Sequence, residues 1–183
     1  MQSKSQGRWI DLNGALKHLV NDGLLLQADA SSLAVAHKTR EEALLHPLQY
    51  IASKGHSQPI DKKPLNIRAL SQWLATKSHL EFVHIDPLKI DVAAVTAVMS
   101  LAYAKRYGIL CIEVTPEELV VVTMEPFNQD WLASLEQTSR RTVRAQVATP
   151  EDIKKYTLEF YSLSKSVFGA RASSRAAPTL TNF

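Results

Sequence analysis

Apolar residues recur at helical spacing through the first half of the chain. Leu12, Leu16, Leu19 and Val20 share one helical face, and Gly23 stands where a glycine stop belongs. After Leu24, Leu25 and Leu26, a second helix is predicted from about Asp29 to Leu45, with Lys38, Arg40, Glu41 and Glu42 on its polar face. His46-Pro47 ends it, because the residue before a proline is pushed out of the helical region. A short helix from Leu48 to Ser53 then stops at Gly55. The polar segment His56 to Pro64 reads as a loop, and Asn66 as the cap of a helix running through Trp73 to about Lys77.

From Leu80 the period changes. Glu81 to Ile85 predicts a short strand, Asp86-Pro87 and Asp91 are helix-start signals, and Val92 to Tyr107 predicts one long helix stopped by Gly108. Ile109–Val114 and Leu119–Met124 predict a hairpin turning at Thr115 to Glu118. Asn128 is the expected cap of a helix through Trp131, Leu132 and Leu135. Between Thr142 and Ala148, Val143, Ala145 and Val147 alternate with Arg144 and Gln146, the pattern of a half-exposed strand. Thr149-Pro150-Glu151-Asp152 combines a cap, a proline in the first turn and two acids at the positive end of a helix. That helix is predicted from Ile153 to about Val167.

The fold class that follows is α+β: a helical subdomain over residues 1–64, then a small sandwich over 65–167 in the order β-α-β-β-α-β-α. Residues 168–183, rich in Ala, Ser, Thr and Arg, lack large apolar groups to bury and are expected to be a flexible linker.

Charge sharpens this division. The 183 residues carry 21 basic and 18 acidic side chains. Three of the basic ones, Lys165, Arg171 and Arg175, lie in an end segment with no acid, so the remaining body is neutral. A neutral body lacks the basic stripe of a nucleic-acid binder. The single cysteine, Cys111, excludes a disulfide framework within the chain and any multi-cysteine metal site. No apolar run approaches the ~20 residues of a membrane span.

Candidate chemistry is sparse. The six glycines form neither a GxxxxGK[ST] loop nor GxGxxG, and HExxH, CxxC and GxSxG are also missing. His84, Asp86 and Asp91 are close enough in sequence to suggest a metal or acid–base cluster, yet both acids sit where helix caps belong. His18, His37, His46, His56 and His79 show no paired spacing and read as surface or partly buried histidines. Cys111 lies in an apolar strand and reads as a core residue, as do Trp9, Trp73 and Trp131 near apolar helix faces. Arg140, Arg141 and Arg144 form a basic cluster, by default a solvated edge and alternatively a contact for an anion. No catalytic, cofactor-binding or metal-ligating residue is assigned.

The run Ile85-Asp86-Pro87-Leu88-Lys89-Ile90-Asp91 resembles the N-terminal domains of type II secretion ATPases and the related type IV pilus assembly ATPases. Ala104 to Leu110, Leu119 to Val122 with Glu125-Pro126-Phe127, and Val147 to Ile153 are similar to that pattern in the same order. The resemblance spans Leu80 to about Tyr161. It implies a module ahead of a hexameric motor, joined to it by a linker, with ATP and Mg bound only in that absent motor. Its implied partners are the motor and the cytoplasmic domain of an inner-membrane platform protein. The implied location is cytoplasmic, peripheral to the membrane through those partners.

Some relatives bind cyclic di-GMP through tandem helical motifs of the form RLGxxLVxxGLI. Here Leu19-Val20-Asn21-Asp22-Gly23 and Ile51-Ala52-Ser53-Lys54-Gly55 resemble that repeat. In the first copy Gly14 replaces the arginine and Leu16 the leading glycine; in the second, His46 and Leu48 do so. Without both arginines the phosphate and stacking contacts are lost, so a scaffold retained without its ligand is expected.

Overall fold

The computed structural model describes the backbone of residues 10–174 and the side chains of residues 10–166. Trp9 and the end of the expected linker, residues 175–183, lie outside the described residues.

The first helices form where capping groups meet apolar stripes. Asp11 caps α1 (Leu12–Asn21) by accepting the Gly14 amide at 2.6 Å, and Gly23 takes the left-handed conformation after it. The second helix, α2 (Gln27–Val35), is shorter than predicted. Thr39 and Glu42 explain the break, for each side chain bonds the other's amide, at 3.2 and 2.8 Å. This reciprocal capping box, T-x-x-E, starts a new short turn, Glu42–Leu44. His46 and Pro47 open α3 (Pro47–Ser53), and Asn66 caps α4 (Ile67–Ser78) through the Ala69 amide.

Leu16, Leu19, Leu25, Leu48, Ile51 and Leu65 pack with Leu70 and Leu74 in one core. The fourth helix therefore belongs to the helical unit, and the boundary expected between residues 64 and 65 falls inside this core.

The predicted long helix over 92–107 is two: α5 (Val92–Val98) and α6 (Leu101–Tyr107). Met99 is extended between them, and Ser100 caps the second helix by accepting the Tyr103 amide. Ser competes with the helical backbone through such local bonds. The carbonyl freed at Met99 accepts the buried Tyr161 hydroxyl at 2.7 Å.

The strands β1 (Ile109–Val114) and β2 (Glu118–Thr123) form the expected antiparallel hairpin, with a bulge between Cys111 and Glu113. Next, α7 (Leu132–Ser139) begins after Trp131. Asn128 does not cap it; its side chain accepts the Asp130 amide in a local turn. The chain then enters β3 (Thr142–Val147), parallel to β2, giving the sheet order β1-β2-β3. Leu119 to Thr123 are buried on both faces, which is why the central strand reads as an unbroken apolar run.

The segment predicted as a strand near Glu81 contributes a single bridge, Phe82 beside Val147. It buries Gln146, whose amide donates to Glu81 at 2.8 Å, so the end of β3 is less exposed than its alternation suggests. Finally α8 (Pro150–Ser174) starts under the Thr149 cap and runs 25 residues, past the predicted end near Val167 and through the first part of the expected linker. The second core gathers Ile85, Val95, Leu110, Val121, Trp131, Ile153 and Phe160.

Candidate functional site

The two units meet at His46. Its Nδ1 accepts the Leu48 amide at 3.2 Å, so that nitrogen carries no proton, and Nε2–H donates to Glu125 Oε1 at 3.0 Å. Both side chains are buried. Glu125 follows β2, and its amide is held by the Thr123 hydroxyl at 3.0 Å. Nearby, Lys154 of α8 donates to Gln49 of α3 at 3.0 Å, and Phe127 packs against the helical core. Arg68 of α4 lies over the Phe82 ring at 6.0 Å. By spacing alone His46 is one of several unremarkable histidines, because its partner lies 79 residues away, beyond any periodic signal. The one local clue was its place before Pro47, where a capping side chain belongs.

Beside this junction a cavity of about 450 Å³ opens between the last turn of α6 and the first turns of α8. Met124 and Glu125 line it from the end of β2, and His46 from the helical unit.

The other sequence candidates disperse. Asp86 accepts the Leu88 amide and Asp91 the Ala94 amide, both as caps. His84 is exposed, with Nδ1 3.7 Å from Asp152. Among the described residues, no three His, Cys, Asp or Glu side chains come together as a metal site. Trp73 donates to Asp22 at 2.7 Å, and Trp131 is buried and donates to the Asn128 carbonyl. Lys77 and then Trp73, both bonded to Asp22, hold its carboxyl below the usual range. Burial pushes the Cys111 thiol up to about 11, away from nucleophile chemistry. The arginine cluster divides: Arg140 ends α7 in the left-handed conformation and Arg144 pairs with Glu118 at 3.2 Å.

The two repeat copies share a conformation, each a helix followed by a left-handed glycine, Gly23 at φ 72° and Gly55 at φ 70°. At the positions of the motif's arginines, Gly14 lies against the Asp11 carboxylate and His46 turns inward to Glu125. Leu16 and Leu48, where the motif has its leading glycines, are core residues.

Residues 78–167 match the profile of the MshEN domain. This part of the chain is an MshEN domain. The type IV pilus assembly ATPase TfpB of Acinetobacter baylyi is 35% identical over 164 residues, a stretch covering 88% of this chain. That alignment takes in 28% of TfpB, so the chain spans about a quarter of this relative's length. Among solved structures, MshE with cdg (c-di-GMP) superimposes with a TM-score of 0.54 at 14% identity, covering 83% of this chain and 99% of that one. The N-terminal domain of XpsE gives 0.50 at 14% identity, over 86% of this chain and 96% of the other. Both cover more of this chain than the MshEN domain alone, so the likeness in fold takes in helices upstream of it.

Proposed function

We propose that this chain is a non-catalytic docking module that attaches an ATPase motor to the inner-membrane platform of a type IV pilus or type II secretion machine. The observation that carries this reading is the similarity to a pilus assembly ATPase across nearly the whole chain, MshEN domain included. In this reading ATP and Mg belong to the motor, and the module works at the cytoplasmic face of the membrane. No helix among the described residues is long and apolar enough to cross a membrane. The helical unit is the contact surface: Leu26, Val35, Leu44 and Ile60 expose apolar side chains there, Val35 and Ile60 by 85% and 87%. Exposed apolar groups on helices and the turns beside them suit a partner element laid across them.

Surface plasmon resonance on the immobilised cytoplasmic domain of the host's platform protein tests it. Saturable binding is expected, weakened about tenfold or more when Val35 and Leu44 are both replaced by Ser. No binding to any platform component overturns the proposal.

The rival reading is a cyclic di-GMP sensor, the ligand named with the MshE structure. The residues here oppose it, since neither Gly14 nor His46 offers a cation to a phosphate. Titration calorimetry with cyclic di-GMP is expected to give no binding heat; micromolar binding would reverse the ranking.

A further inference from the structure

The cavity at the joint has a composition that neither the docking reading nor the fold requires. Its volume of about 450 Å³ falls within the range of small-molecule sites. Ala104, Met124, Ile153 and Leu158 give it apolar walls. Its charged wall residues are Lys105, Arg106, Lys154 and Glu125. Glu125 is buried and bonded to His46, and three cations stand against this one carboxylate.

Lys105 and Arg106 occupy the last turn of α6, where the helix dipole favours positive charge. That accounts for two of the three cations. Lys154 stands one turn into α8, where its amine donates to Gln49 of α3 at 3.0 Å, and it lines the same opening. Cations from two helices thus converge on one apolar hollow. Arg106 also lies over the Tyr107 ring at 5.3 Å, which sets a flat surface in the wall.

We infer that this cavity binds a small organic anion: a flat apolar ring system seated on Ala104, Met124, Ile153 and Leu158, carrying one sulfonate, phosphate or carboxylate group toward Lys105 and Arg106. His46 closes the cavity from the helical unit while the other walls belong to the MshEN domain, so the ligand bridges the two units. The inference stands on the cavity alone and is independent of the docking reading.

The test is a fluorescence titration with 8-anilinonaphthalene-1-sulfonate, set beside the neutral N-phenyl-1-naphthylamine, which has the same rings and no charge. Two variants accompany the parent chain: Lys105→Ala with Arg106→Ala, and Leu158→Trp, which fills the opening. All three positions are exposed on helices, and an unchanged Tm confirms the fold. The anionic dye should saturate and bind about tenfold or more tighter than the neutral one. The double variant should erase that preference, and the tryptophan should abolish binding. Equal affinity for both dyes overturns the anion assignment. Anionic binding that survives either variant unchanged, or no binding at all, overturns the site.

Discussion

The imidazole of His46 serves two structures at once, and only one tautomer permits it. Nδ1 caps α3 through Leu48 while Nε2–H reaches across the joint to Glu125. His46→Ala removes both bonds and leaves a carboxylate buried beside an emptied space. Loss of ~2 kcal/mol is expected, measured by urea denaturation, because a buried carboxylate loses one of its hydrogen-bond donors and α3 loses its cap. His46→Ala combined with Glu125→Leu should cost less than His46→Ala alone. Cys111 is a contrasting case, inert by position. With its thiol pushed up to about 11 by burial, iodoacetamide near pH 8 should label it about a hundredfold more slowly than an open thiol. Guanidinium should restore the ordinary rate, and fast labelling of the native chain would contradict its burial. The strand pattern around Cys111 made that burial legible in sequence; the His46 pair was not, since long-range polar partners leave no periodic trace.

Elements were legible where a local device starts or stops them. Asn66, Asp86, Asp91 and Thr149 cap as their sequence context predicts. The misreadings have equally local causes. The capping box of Thr39 and Glu42 lies inside what looked like a continuous helix, and Ser100 interrupts another. The kink at Met99 also needs Tyr161, a tertiary partner 62 residues on, to take its carbonyl. Gly108 tests how firmly one stop is fixed. Its φ is 63°, and a Cβ there would meet Met124 Cγ at 3.0 Å, whereas at Gly23, with φ 72°, nothing lies within 4 Å. Gly108→Ala should therefore cost ~2 kcal/mol and Gly23→Ala ~1 kcal/mol, the difference being the displaced methionine. Equal losses would show that Met124 yields freely.

At the scale of the whole molecule, two cores among the described residues meet through the His46–Glu125 and Lys154–Gln49 bonds and the packing of Phe127. The α+β class was readable from the change of period near Leu80, and the MshEN domain match begins at residue 78. The placement of α4 was not readable, because its apolar face fits either core and only packing decides. The cavity was equally hidden, its walls coming from α6, α8, the cap of α3 and the residues that follow β2. The central claim concerns what the helical unit touches in the cell. A photo-crosslinking amino acid placed at Val35, Leu44 or Ile60, with Glu117 of the hairpin turn as the control position, tests that most directly. Irradiation of living cells should join the three helical-unit positions, and not the control, to the inner-membrane platform protein. Absence of that adduct from all three positions, or its formation from Glu117 alone, would contradict the account.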